Sequence, residues 1–201
     1  ALYISVEQAY LCEYIRGRYH SKTTLIMFQQ LPDAVKGILI ANILIFVATL
    51  TQGDLMYGLL SLWFMENPNF GYWQFVSHMF MHGGFAHILF NMYALVAFGS
   101  PLERVWGRDK FLFFYFSAGL GAALLHTGVN YYYFNDAVDQ LVAAGVSRFD
   151  LMEVLNSGKA LNLSYLAQYV PVEVAQQLQG AFYTPAVGAS GAVYGVLVAF
   201  A

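Results

Sequence analysis

Ser190 stands in Gly188-Ala189-Ser190-Gly191, within a stretch that carries no charge from Val174 to Ala201. A serine hydroxyl becomes a useful nucleophile only when something activates it. A second uncharged stretch, Asn67 to Leu102, carries His87 and Asn91 four residues apart. On a helix that spacing puts the two side chains about 40° apart, on one face. Both offer side-chain N–H donors, and acyl transfer needs donors aimed where the oxyanion develops. Ser190 as nucleophile, with His87, Asn91 and the Ser190 backbone N–H around an oxyanion, is chemically coherent. Each motif also has a structural reading. Small residues around a membrane serine permit close helix contact, Gly191-x-x-x-Gly195 has the packing spacing, and a His-x-x-x-Asn pair can serve as interhelical glue.

The elements that must position these groups follow from composition. Of 201 residues, 59% are hydrophobic, 17% aromatic and only 10% charged, against roughly 25% charged in an average soluble domain. That excludes an ordinary soluble domain and a disordered chain. A net charge of -3 leaves no basic footprint for nucleic acid. The single cysteine, Cys12, excludes an internal disulfide framework and a Cys-rich zinc site. The expected class is an all-α, polytopic membrane helical bundle.

Charge-free stretches locate the spans, since a bilayer core needs about 20 mostly apolar residues per helix. Four are expected: 34–50, 85–102, 111–129, and one starting near Ala186 that is still apolar at Ala201 and is expected to continue. Seven of the nine positive charges (Arg16, Arg18, Lys22, Lys36, Arg104, Arg108 and Lys110) fall on one side. The positive-inside rule makes that side, and the N-terminus, cytoplasmic. Spans two and four then run in the same direction, which brings His87, Asn91 and Ser190 to similar depth near the outer face. Residues 1–31 have no signal-peptide pattern and read as a cytoplasmic or interfacial helix. The aromatic-rich residues 51–84 read as short helices half sunk in the outer leaflet. Residues 130–185 read as an extramembrane helical insertion, with Phe149, Met152 and Leu155, then Val172, Ala175 and Leu178, at helical spacing. The membrane domain is thus expected over 32–201.

In this order the motifs resemble the rhomboid intramembrane serine proteases. The segment Trp73-Gln74, then His78, His82-x-x-x-x-His87-x-x-x-Asn91, is similar to the family's second-helix signature. Gly99-x-x-x-Glu103-x-x-x-Gly107 looks like the end of that helix, and Gly188-x-Ser190-Gly191-x-x-Tyr194-Gly195 like the serine helix. The resemblance implies a six-helix core, four spans of which are in view, cleaving transmembrane segments of other proteins in a plasma or bacterial inner membrane, with membrane lipid around it and no metal or cofactor. It implies Ser190 as nucleophile, His87 and Asn91 at the oxyanion, and Tyr194 stacked against the base histidine. Gly188 and Gly191 would shape the site. His82 would be a structural hydrogen-bond partner at the water-accessible mouth, and Glu103 a tie at the cytoplasmic end. Gln74 stands where the family pattern has arginine. The family's base histidine lies on its sixth helix, beyond Ala201; His126, late in span three, is the alternative within the chain.

Two rival classes remain. A rhomboid-like protein that binds transmembrane clients without catalysis would not need Ser190, His87 and Asn91 together. A channel or transporter would carry more polar pore-lining positions than these spans offer.

Overall fold

The computed structural model describes residues 30–158 and 161–201; the helix expected over 1–31 lies almost wholly outside them. Among the described residues the fold is helical, with a single antiparallel bridge between Leu62 and Ala186. Helix α1 spans Asp33–Thr51, and α2 (Gly53–Leu60) and α3 (Gln74–Ser77) lie in the loop that follows. Helix α4 (Phe85–Ala94) passes through a wide turn, Leu95–Gly99, into α5 (Ser100–Trp106). Helix α6 covers Arg108–Ala143, α7 Arg148–Asn156, α8 Leu163–Leu166, α9 Val172–Tyr183 and α10 Ser190–Phe200.

Among the described residues, three helices are long and apolar enough to cross a membrane: Asp33–Thr51, the joined Phe85–Trp106, and Arg108–Ala143. Their outward side chains are apolar as well: Leu44, Val105, Phe113, Leu124 and Leu125 are all more than half exposed. A helix that is apolar all round needs an apolar surround, so lipid covers these faces.

The helices depart from the expected bounds in two places. The third helix continues past Val129, the expected end of its span. It runs unbroken for 36 residues, about 54 Å at 1.5 Å per residue against a bilayer core of about 30 Å. No proline or glycine pair interrupts it at the end of its apolar run. The fourth helix starts at Ser190 rather than near Ala186, because Ala186 is held extended by paired backbone bonds with Leu62, both 2.9 Å, and Gly188 sits at φ +120°.

The membrane core gathers Val35, Leu95, Phe111, Tyr115, Ala192 and Val196, all at most 1% exposed. Lipid is as apolar as leucine, so close packing rather than water exclusion must hold such helices together. The Gly191/Gly195 stripe supplies it. A methyl at Gly191 would lie 2.5 Å from Ala122 Cβ, and one at Gly195 2.5 Å from Ala118 Cβ, so α10 rests directly on α6. Gly195→Leu should therefore force the pair apart at a cost of about 1–3 kcal/mol, the usual range for overpacking. A lowered melting temperature in detergent is the expected reading; an unchanged one would mean that the two helices are not in contact.

A second core forms where α6 overruns its apolar segment. Phe134, Leu141, Leu155, Leu178 and Phe182 are buried together, and Phe64 of the outer loop packs among them. Of the expected α7 face, Leu155 is buried and Met152 packs against this core, but Phe149 is 76% exposed and Leu151 is buried in its stead. Phe149 is the second residue of its helix, so it lies at the rim where the chain is still turning in.

At the opposite end, Glu103 accepts from the backbone N–H groups of Ala34 and Val35, both at 2.8 Å. It thereby caps the start of α1, whose first-turn donors have no partner within the helix.

Candidate active site

The six residues 184–189 carry the chain from α9 to Ser190, and nearly every turn of that path is fastened. Asn67 Nδ2 donates to Phe182 O at 2.9 Å. The Leu62–Ala186 bridge follows, and the Gly188 N–H donates to His78 O at 2.9 Å. Gly188 has to be glycine on two counts. Its φ of +120° is a conformation side chains rarely adopt, and a methyl there would fall 2.7 Å from His87 Nε2. Ser190 is the first residue of α10. Its own N–H and those of the next residues are thus among the unsatisfied donors of a helix N-terminus, where the helix dipole favours negative charge.

Ser190, His87, Asn91 and Tyr194 line one cleft of about 250 Å³ between α4 and α10, with Phe90, Ala94, Val193 and Leu197 as its apolar walls. Asn91 is 7% exposed and Tyr194 70% exposed, so the cleft has a closed end and an open one. His87 Nδ1 accepts a long hydrogen bond, 3.4 Å, from the Gly83 N–H. A neutral imidazole accepting at Nδ1 carries its proton on Nε2, the nitrogen beside Gly188. Asn91 uses one of its two Nδ2 protons on His87 O at 2.9 Å, leaving the other. Gly191 faces α6 rather than the cleft and acts through packing. Among the described residues no imidazole hydrogen-bonds the Ser190 hydroxyl. His126 pairs with Asn130 at 3.1 Å and lines a separate small pocket with Trp63 and Thr127.

His82 departs from expectation. It does not lie at an accessible mouth: it is 1% exposed, and neither ring nitrogen has a partner among the described residues. Its ring meets that of His87 edge-on, centroids 5.0 Å apart. Burial, and then the neighbouring His87, push its pKa down from 6.5 to about 4. A histidine whose folded pKa is depressed contributes fully above its unfolded pKa and loses that contribution as pH falls towards the folded one. Each tenfold change in proton affinity is worth about 1.4 kcal/mol, so acidification from pH 6.5 to about 4 should remove about 3 kcal/mol of stability. His82→Phe should flatten the melting temperature across that window; an unchanged slope would place the titrating group elsewhere.

Sequence reasoning missed the fastening residues. The Glu66-Asn67-Pro68-Asn69 turn was the available signal: Asn67 Oδ1 accepts from Asn69 N–H at 2.9 Å while its amide reaches α9. The substitution at Gln74 has a clear consequence. Gln74 is fully buried; its Nε2 donates to Asn69 O at 2.7 Å and faces the Gly58 and Leu59 carbonyls at 3.3 and 3.4 Å. Its Oε1 accepts from Trp63 N–H at 3.2 Å. A neutral amide organises this loop with no counter-ion.

Residues 69–201, more than half of the chain, match the Rhomboid domain. The chain belongs to the rhomboid family. It is 29% identical over 116 residues to Rhomboid-like protein 15 of Arabidopsis thaliana, covering 55% of this chain and 29% of that protein. It is 36% identical over 61 residues to Rhomboid protease AarA of Providencia stuartii, covering 30% and 22%. Its match to Rhomboid protease GluP of Bacillus subtilis is 34% over 53 residues, covering 26% and 10%. The matches thus span less than a third of each relative's length. A rhomboid chain with these apolar helices is a multi-pass membrane protein.

Proposed function

We propose that this rhomboid acts as a serine endopeptidase on transmembrane segments of other membrane proteins. The observation that carries the reading is the meeting of Ser190, His87, Asn91 and Tyr194 on one cleft, with Ser190 at a helix N-terminus. In the proposed reaction Ser190 Oγ attacks the scissile carbonyl carbon while its proton passes to a histidine base. The oxyanion is held by His87 Nε2–H, the second Asn91 Nδ2–H and the Ser190 N–H. The C–N bond then breaks, the base returns the proton to the departing amine, and water hydrolyses the ester. In the family resemblance the base is a histidine on a further helix; the open, Tyr194-lined end of the cleft leaves room for an imidazole.

The same reading puts Arg104, Arg108 and Lys110 on the cytoplasmic side, by the excess of positive charge there. Residues 130–185, with the second core, then stand outside the bilayer on the opposite face. This is the physical setting in which water exclusion can hold Phe134, Leu178 and Phe182 together.

A client-binding rhomboid without catalysis is the second reading. It is favoured by the lack of an imidazole on the Ser190 hydroxyl among the described residues. A fluorophosphonate probe separates the two. In membranes containing the protein, the protease reading expects covalent labelling mapped to Ser190 and competed by a transmembrane substrate. A serine that stays unlabelled while clients still co-purify would favour the binder.

A further inference from the structure

The Arg108 end of the bundle holds a groove that the proposed chemistry does not use. It measures about 350 Å³ and lies between α1 and α6. Gly37 and Ala41, one turn apart, form its α1 wall; Arg108, Leu112 and Phe116 form its α6 wall at four-residue intervals. From Arg108 to Phe116 is about 12 Å along the helix axis. Phe80, from the outer loop, lines the groove beside Phe116, the ring centroids 6.4 Å apart. The wall at Gly37 stands well back, since a methyl there would meet nothing within 4 Å.

The mouth is charged. Asp33 lines it, but its carboxylate is paired with Lys36 Nζ at 3.6 Å. Among the described residues Arg108 has no carboxylate partner. Nearby cations are otherwise engaged: Arg104 donates to Gln30 O at 3.1 Å, and Lys110 lies 5.0 Å from the Trp106 ring centroid. Of the two charged groups that line the groove, Arg108 is the one without an ion-pair partner among the described residues, and its fork of donors fits a phosphate. Both walls belong to helices apolar and long enough to cross a bilayer, so the occupant must be apolar in its body and anionic at its head.

We propose that this groove binds one anionic glycerophospholipid. An acyl chain lies along Gly37 and Ala41 towards Phe80, and the phosphodiester sits on Arg108. Basic pockets between transmembrane helices favour such head groups. The inference stands apart from the proteolytic reading, because it uses none of the Ser190 cleft.

The test is native mass spectrometry of the protein released from bilayers containing equal phosphatidylglycerol and phosphatidylcholine. The expected result is one retained phospholipid, with phosphatidylglycerol favoured about fivefold, the worth of one basic residue beside an anionic lipid. Arg108→Gln should abolish the preference. Gly37→Trp should remove the retained lipid, and Ala41→Leu serves in its place if that variant does not fold. No retained lipid, equal retention of the two lipids by the unaltered protein, or a preference that survives Arg108→Gln would overturn the proposal.

Discussion

Ser190→Ala should abolish cleavage of a transmembrane reporter, with a loss on the order of 10⁴–10⁶ in turnover, as when a serine nucleophile is removed from its catalytic unit. The fold should survive. The hydroxyl makes no hydrogen bond among the described residues, and alanine keeps the first position of α10 compatible with its helix. Activity and stability are therefore separable in this variant: equal melting temperature with no cleavage is the expected pair. Cleavage at the unaltered rate would remove Ser190 as nucleophile. It would leave the Gly188–Gly191 segment as a packing device, the role that the 2.5 Å approach of Gly191 to Ala122 already gives part of it.

Asn91→Ala should lower turnover by about 10²–10³, the effect typical of losing one oxyanion donor. The loss should fall on kcat with little change in KM, because the oxyanion exists only after attack. A structural role would read differently. Asn91 also bonds His87 O within its own helix, and losing that bond alone should cost about 0.5–1.5 kcal/mol of stability without singling out kcat. A fall of less than twofold, or an equal fall in the apparent affinity for substrate, would take Asn91 out of the reaction.

Much of the architecture was legible because hydropathy and charge act locally. The first two spans correspond to what the uncharged runs indicate, and the aromatic-rich outer loop holds the short helices expected of it; the tie from Glu103 is what the family resemblance implied. The end of α6 was not legible. Nothing in Tyr131-Tyr132-Tyr133 breaks a helix, and only packing against α9 and Phe64 explains why it continues as it does. Phe149 was misread for a related reason, whereas the mouth position of His82 came from the family resemblance. Periodicity assigns a face to a residue, but whether that face is covered depends on segments distant in sequence.

By itself, the sequence determined that this is a multi-span helical membrane protein and singled out Ser190, His87 and Asn91, since residue types, charge gaps and spacing are properties of the chain. Only the tertiary structure decided where the serine helix begins. The fasteners from Leu62, Asn67 and His78 keep 184–189 from coiling, so Ser190 stands at a free helix N-terminus on the cleft that His87 also lines, rather than one turn inside a span. Those bonds join residues more than a hundred positions apart, and no local pattern encodes them.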